Sequence, residues 1–225
     1  MFIRLKTSLA KLITWPTQLR DNILLQRNSH TLGRVLGPSS DSYQQYLNLQ
    51  LKRTFLKRRT PLQARTRALV DQLAGQADLG RCRVLCIGCR NTAELDYFYA
   101  KGCRDVSGID LHSLRADILV MDMHYLKFPD SHFDIIYSSH SLEHAHDPSK
   151  VIMEIIRVAR TGALVAIEVP IEFKPRGADL VDFKSLDQLY QAFYPHITQV
   201  LWSERYQASG AERNTCIRTI LQVQK

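Results

Sequence analysis

Residues that could carry chemistry follow a series of short apolar runs in the middle of the chain. Gly88–Thr92 follows the run Arg83–Ile87, and Asp110 ends a second run, 22 residues after Gly88. Met121-Asp122-Met123 follows a third run, and Ser138–His144 follows a fourth. A glycine turn that opens a helix offers unpaired N–H groups to an anion, and an acidic residue about 20 positions later is placed to bind ribose. These features predict a site for a nucleoside with an anionic tail.

The cysteines around the first run allow a second interpretation. Cys82, Cys86 and Cys89 have the Cys-x3-Cys-x2-Cys spacing of an iron–sulfur cluster motif. The residues between them have the pattern of a buried strand, which would place Cys82 and Cys86 about 13 Å apart, too far for one cluster. We therefore expect no metal, and we favour neither the cluster nor a Cys86–Cys89 redox pair.

From Gly80 onward, apolar runs alternate with helical segments, which predicts an α/β fold. The alternation favours a mostly parallel sheet covered on both faces, and ligands of such sheets bind at the carboxyl ends of the strands. The last two strands are adjacent in the chain, so we expect them to be antiparallel. The predicted strands are Arg83–Ile87, Asp105–Asp110, Asp117–Val120, Phe133–Ser138, Ala163–Val169, and about Ile197–Tyr206 and Asn214–Val223.

Capping residues predict where several helices begin. Thr60-Pro61 resembles an N-cap with proline at the first helical position, for a helix that ends near Ala74. Asn91 and Glu94 resemble a capping box for a helix that ends near Gly102. Further helices are predicted over Tyr43–Arg59, from Asp147-Pro148 through Arg160, and over Ser185–Tyr194.

The net charge of +8 is concentrated in the first 80 residues, which contain 13 lysines and arginines against four acidic residues. We expect a basic helical extension over residues 1–80, acting as a substrate lid or a partner contact, and a main domain over 81–225. Residues 2–15 have amphipathic helical spacing, which fits packing on the core or a partner, with peripheral membrane contact as the alternative. The basic residues between Lys52 and Arg67 fit a solvated helix face, with attraction of phosphates, nucleic acid, anionic lipid or an acidic substrate as the alternative.

Composition excludes several classes of protein. With 225 residues, 45% hydrophobic and 23% charged, the chain is neither disordered nor collagen-like nor a coiled coil. It has no run of 18 apolar residues for a transmembrane helix, and its start lacks the pattern of a secretory signal. Four of the five cysteines lie within 22 residues, which predicts reduced thiols and a cytoplasmic location.

Residues 83–169 resemble a class I S-adenosylmethionine-dependent methyltransferase of the broad type 11 group. Five segments carry the resemblance in order and spacing: Val84–Cys89, Gly108–Asp110, Met121-Asp122, Phe128–Asp134, and Ser141–His144 with Asp147-Pro148. The terminal strand pair is similar to that family's reversed last strand. The resemblance covers about residues 80–225 and implies a Rossmann-like sheet of seven strands with an antiparallel last strand. It also implies S-adenosylmethionine as the cofactor.

The resemblance implies a role for each matching residue. Gly88 lets the backbone approach the methionine part of the cofactor, and Asp110 binds its ribose. Asp122 accepts a hydrogen bond from the adenine amino group, while the Met123 backbone faces the ring. The implied cofactor contacts are completed by Cys89, Arg90, Leu111 and Ser139.

The sequence departs from the family pattern in the glycine loop. The family usually has an acidic residue at the position of Cys86 and glycines at the positions of Arg90 and Thr92. Arg90 could instead pair with the methionine carboxylate, because an ion pair at 4 Å gains about 4 kcal/mol at an effective dielectric of 20. A solvent-facing Arg90 is the alternative.

Histidines after the fourth run are the candidates for proton transfer. His140 is the first candidate for a general base, His144 the second and His124 the third, because histidine titrates near neutral pH. The alternatives are hydrogen bonds to the backbone or direct contact with cofactor or acceptor. The segment lacks the Asn/Asp-Pro-Pro-aromatic pattern of enzymes that methylate exocyclic base nitrogens.

The leading hypothesis is methyl transfer to a small molecule or a glycan, on oxygen. The alternatives are a methyltransferase that acts on a lipid, a quinone or RNA, and a protein that binds S-adenosylmethionine without catalysis.

Overall fold

The computed structural model describes residues 26–27, 40–57, 59–113, 117–208 and 214–225. The predicted amphipathic helix over residues 2–15 lies outside these ranges. Across the described ranges, no helix is both long enough and apolar enough to cross a lipid bilayer.

Seven strands form one sheet in the order β3-β2-β1-β4-β5-β7-β6. Neighbouring strands from β3 to β5 pair in parallel, and β7 is antiparallel to both β5 and β6. The predicted seven-stranded, mostly parallel sheet is therefore confirmed. The strands are β1 (Arg83–Ile87), β2 (Asp105–Asp110), β3 (Ile118–Val120), β4 (Phe133–Ser139), β5 (Ala159–Ile171), β6 (Ile197–Gln207) and β7 (Thr215–Val223).

Helices cover both faces of the sheet. One apolar cluster joins α4 and α5 to the face that carries Leu85 and Ile87, and a second joins α2 and α3 to the face of Val84 and Cys86. Because both faces are covered, β1 is apolar along its length rather than alternating. The helices are α1 (Asp41–Lys57), α2 (Ala64–Gln76), α3 (Ala93–Ala100), α4 (Pro148–Val158) and α5 (Leu186–Phe193), with short 3₁₀ turns at Leu79–Arg81 and Leu142–His144.

The predicted N-terminal caps of α2 and α3 are wrong. Helix α2 begins at Ala64, not at Pro61, because the Thr60 hydroxyl donates to Lys57 O at 2.7 Å and closes the end of α1. Asn91 and Glu94 do not form a capping box: the Asn91 side chain accepts from Ala93 N at 3.0 Å. Helix α3 then ends at Ala100, before the left-handed turn at Gly102.

Other predicted boundaries are close to the observed ones. The Asp147 carboxylate accepts from Lys150 N at 3.0 Å, which confirms the predicted N-cap of α4. That helix ends at Val158 rather than at Arg160, and β5 is longer than predicted in both directions. Its first residue, Ala159, pairs with Phe133 across an irregularity in the register.

We predict that Ile155→Ala lowers the free energy of unfolding by about 2–5 kcal/mol, because the side chain is 1% exposed and its loss leaves a cavity between α4 and the sheet. The matched control is Met153→Ala on the same helix, where the side chain is 57% exposed, and we expect a change within about 0.5 kcal/mol. Urea unfolding followed by circular dichroism measures both values. Equal losses for the two variants would contradict this description of the core.

Candidate functional site

A cleft lies at the carboxyl ends of β1, β2 and β4, where the strand order reverses. It has two adjoining halves of about 490 and 450 Å³ of empty space, partly open to solvent. We call them the Asp110 half and the Glu94 half. Gly88, Arg90 and His140 line both. The predicted residues Asp110, Leu111, Asp122, Met123 and His144 line the Asp110 half, and Cys89 and Ser139 line the Glu94 half.

The turn after β1 wraps its backbone around Asp110. Gly88 has φ +73°, and a Cβ at this position would come within 2.1 Å of the Ser141 hydroxyl, so only glycine fits. Arg90 also has a left-handed backbone, with φ +48°, and its N–H donates to Asp110 Oδ2 at 2.5 Å. This turn therefore keeps the left-handed conformation at Arg90 without a glycine there.

Asp110 is a buried carboxyl group that accepts a backbone hydrogen bond on each oxygen and a further hydrogen bond from the Thr54 side chain. Leu111 N donates to Oδ1 at 2.6 Å, opposite the donor from Arg90. Burial raises the pKa of Asp110 above its ordinary value, and these hydrogen bonds offset the rise only in part. Each carboxylate oxygen can accept more than one hydrogen bond, so both keep acceptor capacity toward the cleft.

Asp122 lies at the cleft but holds protein donors on both oxygens. The Tyr43 hydroxyl donates to Oδ2 at 2.7 Å, and Oδ1 lies 2.9 Å from His124 N and 2.6 Å from His124 Nδ1. Burial raises the pKa of Asp122, but the His124 contacts outweigh it and the pKa lies below the ordinary value. Because Asp147 N donates to His124 Nε2 at 3.2 Å, the proton of a neutral His124 lies on Nδ1. His124 therefore hydrogen-bonds both Asp122 and the backbone N–H of Asp147, the N-cap of α4.

Helix α1 closes the Asp110 half from above. Tyr46, Gln50 and Thr54 line that half, and the Gln50 amide donates to Ala178 O at 2.8 Å. Farther along α1, Arg53 donates to Asp179 at 2.5 Å. No individual residue of α1 was predicted from the sequence to line the site. The available signal was the spacing of Tyr43, Tyr46 and Gln50 on one face of a predicted helix.

The Glu94 half contains two ionisable side chains, each with a buried atom that has no partner. Glu94 Oε2 and Arg90 Nε are both buried and lack a hydrogen-bond partner. Burial raises the pKa of Glu94 to about 8, with Arg90 partly opposing the rise. Buried polar atoms without partners are rare, so this pair indicates a ligand that brings both a cationic and an anionic group. Sequence reasoning placed Glu94 in a capping box and missed its place in the cleft.

His140 lies between two buried carboxylates at the junction of the two halves. Its Nδ1 is 3.5 Å from Glu143, and its Nε2 is 3.3 Å from Glu168. Its backbone, with φ +52°, also donates to Glu168 O at 2.9 Å. Burial lowers the pKa of His140, but the contacts with Cys216, Glu143 and Glu168 raise it more, so the result lies well above the ordinary value. These contacts favour the protonated, positively charged form of the imidazole.

His144 lies at the mouth of the Asp110 half, beside Asp179. His144 Nδ1 is 3.1 Å from Asp179 Oδ1, and the contacts with His144 and Arg53 lower the pKa of Asp179. Sequence reasoning missed Asp179 and the buried Glu143 and Glu168. Glu143 lies in the segment Ser141–His144, which carries part of the family resemblance, and Glu168 is recognisable as a charge inside the apolar run of β5.

The cysteines around β1 are separated by a strand, which confirms the premise of the geometric argument against a cluster. Burial raises the pKa values of Cys86 and Cys89, which favours the protonated thiols. Within the part of the chain that the structure describes, no three histidine, cysteine or acidic side chains are grouped so as to hold a metal ion.

Comparison with known proteins places this cleft in a family context. Residues 85–167 match the family model described as a methyltransferase domain. A curated relative, ajmaline N-methyltransferase of Rauvolfia serpentina, is 45% identical over 42 residues. That stretch is 19% of this chain and only 14% of the relative's length.

Two solved structures share the fold at low sequence identity. The [4+2]-cyclase SpnF superposes with a TM-score of 0.60 and 16% identity, over 74% of this chain and 83% of that one. The 1,6-didemethyltoxoflavin-N1-methyltransferase of Burkholderia thailandensis, solved with S-adenosylhomocysteine and 1,6-didemethyltoxoflavin, has a TM-score of 0.57 and 18% identity. That match covers 72% of this chain and 79% of the other. At these identities the structural likeness establishes the fold alone.

We predict that the His140 imidazole titrates above the ordinary histidine pKa of about 6.5 and that Glu143→Gln lowers its pKa. Because the folded-state pKa of His140 is raised, its charge stabilises the fold fully below the ordinary histidine pKa. This contribution is lost as the pH rises through the folded-state pKa. Imidazole NMR over a pH series measures both. Glu172→Gln, at an exposed carboxylate, is the control and leaves the His140 pKa unchanged. A wild-type His140 pKa at or below the ordinary value would contradict the stabilising contacts with Glu143 and Glu168.

Proposed function

We propose that the chain, whose residues 85–167 match a methyltransferase domain, transfers a methyl group from S-adenosylmethionine to a small molecule or a glycan. The observation that carries the proposal is the composition of the cleft. One half offers a buried carboxylate with acceptor capacity, Asp110, and the other half offers an unpartnered carboxyl oxygen and an unpartnered guanidinium nitrogen.

The residues of the cleft fit S-adenosylmethionine. Asp110 would accept from the ribose hydroxyls, while Leu111, Met121 and Met123 provide apolar surface for the adenine. Glu94 and Arg90 would bind the ammonium and carboxylate groups of the methionine part, which are the cation and the anion that their unpartnered atoms require. The proposed adenine contact of Asp122 would share that carboxylate with Tyr43 and His124.

S-adenosylmethionine supplies a methyl group that its positively charged sulfur has already activated. The protein's own part is to position an acceptor for in-line attack and to exclude water, and α1 covers the cleft for that purpose. Within residues 1–80, helix α1 is thus proposed to act as the lid. The same basic region leaves a lipid, a quinone or RNA as alternative acceptors, and peripheral membrane contact as an alternative use.

We propose that His140 handles the proton of the acceptor, with His144 as the second candidate. An imidazolium cannot accept a proton, but a positive charge bound in the cleft lowers the pKa of His140, which lines both halves. Filling the cleft with the positively charged cofactor would therefore shift His140 toward the neutral base. Glu143 and Glu168 would stabilise the imidazolium that forms when His140 takes the acceptor's proton.

Oxygen is the proposed reacting atom, since a hydroxyl acceptor needs a group that removes its proton. Nitrogen is a second candidate, favoured by the match to an N-methyltransferase and by the buried carboxylates around His140, which would attract an amine. Methyl transfer from ¹³C-labelled S-adenosylmethionine distinguishes the two, because the carbon chemical shift separates an O-methyl from an N-methyl product. A cofactor-binding protein without catalysis would yield neither product.

We predict that Glu94→Gln weakens the binding of S-adenosylmethionine about tenfold or more, because a hydrogen bond to a charged group contributes about 1.5–3 kcal/mol. Binding of 5′-methylthioadenosine, which lacks the amino-acid end, stays within about twofold. Isothermal titration calorimetry measures both ligands. Asp96→Asn, at an exposed carboxylate on the same helix, is the control and leaves both affinities unchanged. Equal losses for the two ligands would contradict the assignment of Glu94 to the methionine end.

We also predict that Arg90→Ala lowers affinity for S-adenosylhomocysteine by removing the partner of its carboxylate. Arg90→Ala, like Glu94→Gln, should leave the affinity for 5′-methylthioadenosine nearly unchanged. Unchanged affinity for S-adenosylhomocysteine would place the Arg90 guanidinium outside the binding site.

We predict that His140→Ala preserves cofactor binding and lowers turnover at least tenfold, since general acid–base groups contribute about 10²–10⁴-fold. The measurement is transfer of labelled methyl to the acceptor under saturating cofactor. His132→Ala, at a histidine outside the cleft, is the control. Turnover equal to that of the unmodified protein would remove His140 from the mechanism.

A further inference from the structure

A third cavity adjoins the Glu94 half, between the amino end of α2 and the edge formed by β6 and β7. It encloses about 670 Å³ of empty space, partly open to solvent. Arg65 lines both this cavity and the Glu94 half, so the two are neighbours. We call it the arginine cavity. Its lining includes Gln63, Arg65, Ala68, Tyr206, Gln207 and Arg218.

Positive charge predominates at the arginine cavity. Among the residues that the structure describes, the charged ones that line it are Arg65 and Arg218, and none of these lining residues is acidic. The carboxylate between them, Glu168, lies 3.6 Å from Arg65 Nε and 3.8 Å from Arg218 Nη1. Glu168 is shared with His140, and Arg218 has a second partner in Glu204 at 2.6 Å. His140 also contacts Glu143, so in the described part of the chain these three cations meet three carboxylates, and the positive character is that of the cavity lining itself.

One donor at this cavity is buried and unused. Arg65 Nε has no hydrogen-bond partner, and the 3.6 Å to Glu168 is too long for a hydrogen bond. Arg218 is held rigidly, because its guanidinium lies 4.4 Å from the ring centre of Tyr206 and 5.3 Å from that of Trp202. Arg218 already donates to Glu204 through Nε and Nη2, so Arg65 Nε is the guanidinium donor here that is left for a carboxylate or phosphate oxygen, the acceptors that arginine binds well.

The arginine cavity is connected to the reaction centre through Glu168. This fully buried carboxylate contacts Arg65 and His140 through Oε1 and Arg218 through Oε2. Because Arg65 lines both the arginine cavity and the Glu94 half, a molecule whose charged end binds in the arginine cavity would extend toward the Glu94 half and His140.

We propose that the arginine cavity binds an oxyanion group, a carboxylate or a phosphate, on the methyl acceptor. The inference rests on the proposed function, because it names the class of acceptor for the same reaction. Arg65 and Arg218 are its specificity-determining residues. Neutral analogues of the acceptor that lack the charged group would leave Arg65 Nε unsatisfied and bind less tightly.

The first experiment incubates the full chain with methyl-labelled S-adenosylmethionine and a small-molecule extract of its source cells. The labelled product is expected to bind an anion exchanger at neutral pH, and phosphatase treatment then distinguishes a phosphate from a carboxylate. A labelled product that is neutral or cationic would overturn the oxyanion proposal and leave the proposed function intact. Absence of any labelled product would overturn the proposed function, and this inference with it.

The second experiment changes the charge of the cavity without touching the arginines. Gln207→Glu is expected to raise KM for the labelled acceptor at least about fivefold through repulsion, and Gln207→Lys to leave it equal or lower. KM for S-adenosylmethionine stays unchanged in both. Ala68→Glu, on the opposite wall, should act like Gln207→Glu, and circular dichroism verifies that each variant is folded. Equal KM values for the Glu and Lys variants would overturn the proposal.

A binding measurement independent of turnover uses inorganic phosphate as the probe. With the cofactor site filled by S-adenosylhomocysteine, phosphate should shift the Nε–H NMR signals of Arg65 and Arg218. The signal of Arg104, at an exposed site elsewhere, should not move. Shifts of equal size at all three arginines would indicate non-specific binding and contradict a built site.

Discussion

Charges buried at the carboxyl edge of the sheet must be paired, because an uncompensated charge out of water costs several kcal/mol. This requirement organises the whole cleft. Glu168, with none of its side chain exposed, collects His140, Arg65 and Arg218 around it. Asp110 draws the backbone of the turn after β1 onto itself. Where the protein leaves a buried polar atom unpaired, as in the Glu94 half, a ligand is the natural partner.

The same requirement ties the helices before β1 to the sheet domain. Asp122 and Tyr43 are 79 positions apart in the chain, yet their hydrogen bond fixes α1 over the cleft. Arg65 at the start of α2 does the same through Glu168. The cover of the cleft is thus held by the groups that line it. An account of acceptor choice therefore has to include α1 and α2 as well as the loops that follow the strands.

Local patterns in the sequence predicted the sheet and the place of the site. Apolar runs such as Arg83–Ile87 are strands because both faces of the sheet are covered, and parallel strands bring Gly88 and Asp110 to one edge. Local patterns failed where a distant group decided the outcome. Glu94 fits a capping box in sequence, but in the structure it lies in the cleft beside Arg90. Glu168 was given no role, because its partners Arg65, His140 and Arg218 meet it only in the folded chain.

The measurement that tests the central claim most directly is a crystal structure of the protein with S-adenosylhomocysteine. The account predicts ribose hydroxyls on the Asp110 carboxylate and the amino-acid end between Glu94 and Arg90. A ligand bound elsewhere, or a cleft that stays empty at saturating concentration, would contradict it.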